Sequence, residues 1–430
     1  MPSVIAPISA LLLSNAFLLM GNGLQGVLLP VRGGLEAFSP LALGVLGGVY
    51  FLGFAVGCLH GPRLIRNVGH IRVFAAMVSI VSANALIHPL IVWPIVWWLL
   101  RGLTGYCFAT LFMVIESWLN ERSTSETRGV IFSIYTIVNL TVITAGQILL
   151  PLGDPKGLPL FSVVSILMSL AVVPVALSRA AAPAPVHTVK LHFLRIFRAS
   201  PVGFIGCLTV GLVNGSFWSL APIFAQRGGG DTTDVAVFMS STVIAGALGQ
   251  WPLGRLSDRI DRRKVIVLAC AMGGVAALGL ALSGLFDGLP FYPFSLAFGF
   301  FALPLYAVAV AHTNDLVAPE EYVQTSSGLL LVYALGAIVG PMAASATMGL
   351  IGPNGLFAFT AACLFLLAVF AASRMMIRPR AVDAERVDFV ESMRMAATVG
   401  PMDTEPGETF ATPDDIVVAD EDAPVPPTNQ

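Results

Sequence analysis

The chain has 430 residues, of which 56% are hydrophobic and only 11% charged, with a formal net charge of −2. A soluble domain carries about a quarter of its residues as charges, so a water-soluble enzyme or nucleic-acid binder is excluded and lipid is the solvent for most of this chain. Crossing a hydrocarbon core takes about 20 apolar residues per helix.

Apolar stretches of that length fall at about 4–28, 41–61, 71–90, 93–116, 129–151, 159–178, 201–225, 235–256, 264–286, 289–313, 326–350 and 355–376, twelve in all. The first has no basic residue before it and carries Asn15, Asn22 and Gln25. It therefore reads as a retained helix, not a cleaved signal. Asn15 and Asn22 share one helix face, with Gln25 near it. In the fourth stretch Arg101 lies about 12 Å inside the helix. A buried charge there costs roughly 2.5–3.5 kcal/mol on insertion scales unless it meets water or a partner. Arg101 thus reads as an anchor for an anionic group or a proton relay, against a packing role bonded to helix carbonyls. Asn139 in the fifth stretch and Asn214 and Trp218 in the seventh complete the polar set. Asn22, Gln25, Arg101, Asn139, Asn214 and Trp218 are the candidate substrate-cavity residues, although amides also serve simply to bond neighbouring helices. The five cysteines stand singly in five stretches, without CxxC spacing and with no histidine at ligand spacing. No disulfide or metal site is expected from them.

The basic residues alternate sharply between connections. Those after even-numbered stretches hold Arg63, Arg66, Arg72, Arg122, Arg128, Arg179, Lys190, Arg195, Arg198, Arg255, Arg259, Arg262, Arg263 and Lys264. Those after odd-numbered stretches hold only Arg32, Lys156 and Arg227. The positive-inside bias therefore places the even connections, and both termini, in the cytoplasm. Residues 377–430 are acidic and proline-rich, which predicts a disordered cytoplasmic tail.

One line of the sequence is written twice. MGNGLQGVLLPVRGG (20–34) and LVNGSFWSLAPIFAQRGGG (212–230) both place Asn-Gly eight residues before a proline, then an arginine and glycines. Asn22 and Asn214 are 192 residues apart, as are Pro30 and Pro222, Gly57 and Gly249, and Arg63 and Arg255. Further on the offset is 199, pairing Glu116 with Asp315, Glu121 with Glu320 and Gly129 with Gly328. The expected organisation is all-α, with two parallel six-helix repeats at 1–178 and 201–376 joined by a cytoplasmic linker at 179–200. In that linker, KLHFLRIFR suits a short basic helix at the headgroup level. Parallel halves in a membrane are the pattern of transporters that rock about a midplane site.

The segment GRLSDRIDRRK (254–264) resembles the cytoplasmic loop signature of the major facilitator superfamily, and RGLTG (101–105) resembles that family's Arg-x-x-Gln-Gly motif in helix 4. The resemblance covers 4–376 and implies a twelve-helix fold. It also implies that Gly254 lets helices approach, that Asp258 caps and pairs at a neighbouring helix, and that Arg262 and Lys264 form an inside gate. Asp261 stands where the family has glycine, Arg66 where the first-half copy should have an acid, and Thr104 where the helix 4 motif has glutamine. Around these residues the expected gate is a set of ion pairs between halves. Arg63, Arg66 and Arg72 would face Asp315, Glu320 and Glu321, and the basic loop after stretch eight would face Glu116, Glu121 and Glu126, with Arg128 alongside.

No HExxH, GxSxG or GxxxxGK[ST] occurs, which argues against a membrane-embedded enzyme and against ATP-driven pumping. The expected function is secondary active transport of a small polar or amphipathic solute across the inner membrane by alternating access. Proton-coupled efflux of drug-like compounds is the alternative, weakened because helix 5 lacks the Gly-Pro motif of such exporters. The expected partners are the substrate, the bilayer and protons as a candidate coupling ion. No cofactor, nucleic acid or second copy of the chain is implied.

Overall fold

The computed structural model describes residues 8–124, 127–177, 189–190, 193–227, 230–283, 291–318, 321–377 and 402–403. Among them, 12 helical segments are long and apolar enough to cross a membrane. In chain order the elements are α1 (Ser9–Leu35), α2 (Pro40–Val68), α3 (His70–Leu90), α4 (Pro94–Glu121), α5 (Arg128–Ile148), α6 (Pro159–Leu170), α7 (Val172–Leu177), β1 (Val189–Lys190) and α8 (Phe193–Ala199). They continue with α9 (Pro201–Arg227), α10 (Thr232–Arg259), α11 (Arg262–Ser283), α12 (Phe291–Ala302), α13 (Leu305–Asn314), α14 (Tyr322–Ile351), α15 (Gly355–Ile377) and β2 (Met402–Asp403).

Local chemistry sets these boundaries. Ser39 caps α2 by accepting from the Ala42 N–H at 3.1 Å, with Pro40 in the first turn. Asp231 and Asp234 form a reciprocal capping box at the start of α10, satisfying N–H groups that lipid cannot. The tenth stretch, read from sequence as one helix, is divided into α12 and α13 at Leu303–Pro304. A proline cannot donate to the preceding turn and crowds its carbonyl. The sixth is likewise divided at Ala171, so that Pro174 falls within the first turn of α7, where proline is tolerated.

Side chains such as Leu99, Leu350 and Leu366 are largely exposed on the outer faces, as a lipid-facing surface requires. Within residues 8–177, α1 packs on α5, α2 on α4 and α3 on α6; within 201–377, α9 packs on α14, α10 on α12 and α11 on α15. The same pairing scheme thus recurs along the chain. Glycines make the close approaches: an added Cβ at Gly57 would stand 2.6 Å from the Tyr106 carbonyl oxygen, and one at Gly215 2.6 Å from the Ala337 Cα.

The two sets of helices meet through α2 with α14, α5 with α10, and α9 with α1 and α2. Identified contacts crossing between them gather toward the end that carries the 36–39 connection. A Cβ at Gly48 would lie 2.6 Å from the Ile338 carbonyl oxygen, and one at Gly34 2.8 Å from the Gln226 side-chain oxygen. The short 3-10 turn Leu150–Leu152 also packs against α10.

The acidic tail departs from its sequence reading at one point. Met402–Asp403 forms a parallel ladder with Val189–Lys190, because backbone pairing does not depend on the apolar content the tail lacks. The rest of the tail beyond residue 377, and linker residues 178–188 and 191–192, lie outside the described residues.

Candidate functional site

A cavity of about 200 Å³ lies between the two sets of helices. Its polar wall comes from Asn22 near the middle of α1, Tyr50 on α2, Arg101 on α4, Gln147 on α5, Trp218 and Ser219 on α9, and Tyr333 on α14. Apolar residues including Val27, Leu46, Phe51, Ile143 and Met239 supply the remainder. Among the described residues no carboxylate lines it.

Arg101 is the charged group of this wall. Its guanidinium carbon stands 4.3 Å from the centroid of the Tyr50 ring. Its buried Nη1 has no hydrogen-bond partner. A cation over an aromatic face is worth about 0.5–2 kcal/mol, less than the roughly 2.5–3.5 kcal/mol insertion cost of a mid-span arginine. Tyr50 therefore orients the group without saturating it. Asn22 lies beside the Tyr50 hydroxyl, and its buried Oδ1 is also without a partner. The wall offers directed donors and amides on one side and an apolar surface on the other.

Asn22, Arg101 and Trp218 line this cavity. Three other candidates do not. Asn139 accepts a 2.5 Å hydrogen bond from Asn15 Nδ2, so it joins α5 to α1. Asn214 is buried beside Tyr333, one turn from Trp218. Gln25 is fully buried off the cavity wall, because it is turned about 60° from Asn22 around α1, to the side away from the lining residues Gly23, Gly26 and Pro30. Sequence reasoning missed Tyr50, Ser219 and Tyr333. A tyrosine or serine in an apolar stretch carries only a weak polar signal.

The predicted gate residues lie at the end opposite the 36–39 connection. Arg262 Nη2 donates to Asp258 at 3.2 Å, and its Nε is 3.1 Å from Asp315. This buried arginine therefore ties α10 and α11 to the end of α13. Gly254 is buried one turn before Asp258, whereas Lys264 is exposed. Arg63, Arg66, Arg72 and Glu121 are exposed, while Glu116 is buried and accepts from the Tyr135 hydroxyl at 3.4 Å.

Asp315 pairs with Arg262 and Glu321 with Arg195, both on their own side of the molecule, because α11 and α8 begin beside these acids. Neither Arg262 nor Arg195 is among the arginines Arg63, Arg66 and Arg72 that the sequence set against these acids. Glu126, Glu320 and the Arg128 side chain lie outside the described residues.

Asp261, the departure from the family glycine, forms its own buried pair. It accepts from Arg263 Nη2 at 2.8 Å and from the Arg263 backbone N–H at 3.0 Å. Burial pushes its carboxyl upward, but hydrogen bonds from Arg263, then its charge and that of nearby His312, outweigh this and hold it below the ordinary 3.8. A depressed carboxylate contributes stability that is present above the ordinary value and lost as pH falls through the folded value. Asp261→Asn is expected to lower the melting temperature at pH 7, with a deficit that shrinks below about pH 4. Detergent melts of both proteins across that range provide the check, and a deficit independent of pH would contradict the assignment.

A Major Facilitator Superfamily model matches residues 11–301 and 231–392. The MFS-type transporter YcaD of Escherichia coli, itself named as uncharacterized, is 27% identical over 365 residues, covering 84% of this chain and 94% of the relative. The Shigella flexneri protein of that name matches to the same extent, at 27% over 365 residues.

Among solved structures, the nucleoside transporter NupG is similar with a TM-score of 0.72 at 11% identity, over 86% of this chain and 98% of that one. A bacterial homolog of the human lysosomal transporter Spinster, in an inward-facing and occupied conformation, gives 0.71 at 18% identity over 90% and 99%. At these identities the structural likeness speaks for the fold alone. With twelve candidate spans among the described residues, a cavity between the two sets of helices and the family match running through most of the spans, the chain belongs to the Major Facilitator Superfamily of secondary transporters.

Proposed function

We propose that this transporter moves a small amphipathic solute bearing an anionic group, and that Arg101 holds that group in the cavity. The observation carrying this reading is the Arg101 guanidinium, stacked on Tyr50 at 4.3 Å with Nη1 unpartnered, in a wall without a carboxylate among the described residues. A guanidinium binds carboxylate or phosphate by paired, charge-assisted hydrogen bonds, and the apolar wall takes the rest of the solute. A volume of about 200 Å³ falls below the roughly 300–1,000 Å³ of drug-sized pockets. This favours a small solute over the drug-like cargo of the alternative reading.

Transport proceeds by alternating access, with residues 1–178 and 201–376 as the two moving bundles and 179–200 as the linker between them. The basic connections and both termini face the cytoplasm, which supports placement in the bacterial inner membrane. The conformation has its contacts at the 36–39 end, the outer end under this orientation, and so corresponds to an outward-closed state. Arg63, Arg66, Arg72, Glu116, Glu121, Asp258, Arg262, Lys264, Asp315 and Glu321 form the inner gate region, which rearranges when the inner end closes.

The test is a thermal-shift screen of the purified protein against small carboxylates and phosphate esters, each beside its neutral amide or alcohol analogue. Stabilisation by anionic members and not by their neutral analogues is expected. Stabilisation by neutral solutes alone would refute the reading.

A further inference from the structure

The helix α8 is divided lengthwise into two unlike faces. Ile196, 5% exposed, and Ala199 turn toward the protein and, with Arg195, border a cavity of about 310 Å³ against Leu316, Val317, Ala318, Glu321, Gln324 and Thr325. Arg195 pairs there with Glu321 at the entry to α14. On the other face Phe193, Leu194 and Phe197 are 41%, 62% and 40% exposed, with exposed Arg198 among them. At 100° per residue these four occupy one contiguous arc. The Phe197 ring also meets Phe204 of α9 edge-on, with centroids 5.4 Å apart.

A solvated linker would not normally present two phenylalanines and a leucine together. Only Ser200 separates α8 from α9, so this apolar arc lies where a spanning helix begins.

We propose that α8 is an in-plane membrane helix that binds anionic phospholipid, with Phe193, Leu194 and Phe197 entering the headgroup–acyl boundary and Arg198 pairing with headgroup phosphate. The opposite face, through Arg195 and Glu321, ties the helix to the start of α14. Leaflet composition thereby bears on an element that also packs across to α2. Apolar burial with attraction to anionic lipid is the mode by which short amphipathic helices hold to a surface. Placing this leaflet on the cytoplasmic side, where anionic lipid is enriched, rests on the orientation proposed above. The contact itself does not.

The experiment uses the full chain carrying a spin label at Leu194→Cys, in nanodiscs of neutral lipid or of neutral lipid with added phosphatidylglycerol. Depth is read from collision with oxygen and with a water-soluble nickel complex. The label is expected at the headgroup–acyl boundary, with lower nickel accessibility in the anionic discs. The additional Arg198→Gln change should weaken this anionic-lipid effect by about fivefold, with an unchanged elution profile. Equal, water-like nickel accessibility in both discs would overturn the proposal. So would retention of the full lipid effect by Arg198→Gln, or its reproduction in neutral discs by inorganic phosphate, which would indicate a soluble-anion site. None of these readings requires substrate or transport, so the proposal fails or stands separately from the Arg101 reading.

Discussion

Replacing Arg101 with alanine is expected to abolish transport while leaving membrane insertion and elution behaviour intact. The residue is half-buried in the cavity wall, and its Nη1 makes no hydrogen bond that the fold would lose. Removing a costly intramembrane charge does not by itself destabilise the bundle. What disappears is the anion-binding group, and hydrogen bonds to charged partners are worth about 1.5–3 kcal/mol. That corresponds to roughly 10- to 150-fold in affinity. Arg101→Lys should rescue poorly, because an ammonium neither stacks on Tyr50 as a planar fork nor binds a carboxylate bidentately. Uptake or efflux at matched membrane abundance is the measurement, and normal transport by Arg101→Ala would make the residue structural.

A leucine at Gly48 should force the molecule out of the conformation described. The glycine sits where α2 crosses α14, and an added Cβ would stand 2.6 Å from the Ile338 carbonyl oxygen. Backbone cannot swing aside as a flexible side chain does. Overpacking costs about 1–3 kcal/mol, and here it is relieved by separating the two sets of helices. The population shift is therefore roughly 5- to 150-fold toward opening at the 36–39 end.

Gly53 provides the contrast, because it faces the Gly102 carbonyl of α4 within one set of helices. Leucine there should lower yield and melting temperature without selective opening. Maleimide labelling of Gln226→Cys, which lies at the closed end, distinguishes these outcomes. Faster labelling in the Gly48→Leu background is expected; an unchanged rate there would contradict the proposed role of this contact.

Much of the fold was legible because lipid imposes length and composition. Each span needs a run of apolar residues, and the fixed offsets between Asn22 and Asn214 or Gly57 and Gly249 announced a recurring element. The division of the tenth span at Pro304 was less legible, since the proline stands inside an unbroken apolar run. For the site, Arg101 and Asn22 stood out as polar groups at membrane depth.

Asn139 and Gln25 were also candidates and lie off the cavity wall: Asn139 bonds Asn15 of α1, and an amide that bonds a neighbouring helix has the same sequence signal as one that faces a cavity. Tyr50 and Tyr333 were invisible for the converse reason: their rings are ordinary packing until the helix across from them is known. Asp261 was visible as a departure from the family loop. Its pairing with Arg263 was not, because it depends on the local geometry at the start of α11.

The most direct test of the account is the affinity of one small carboxylate and its neutral amide analogue for the wild-type protein and for Arg101→Ala, measured by calorimetry. The screen described above supplies the pair. If Arg101 holds the anion, the wild-type protein prefers the carboxylate by at least about tenfold, and the preference vanishes in the variant while binding of the amide changes little. A carboxylate preference that persists undiminished in Arg101→Ala would contradict the assignment of the cavity arginine as the substrate anchor.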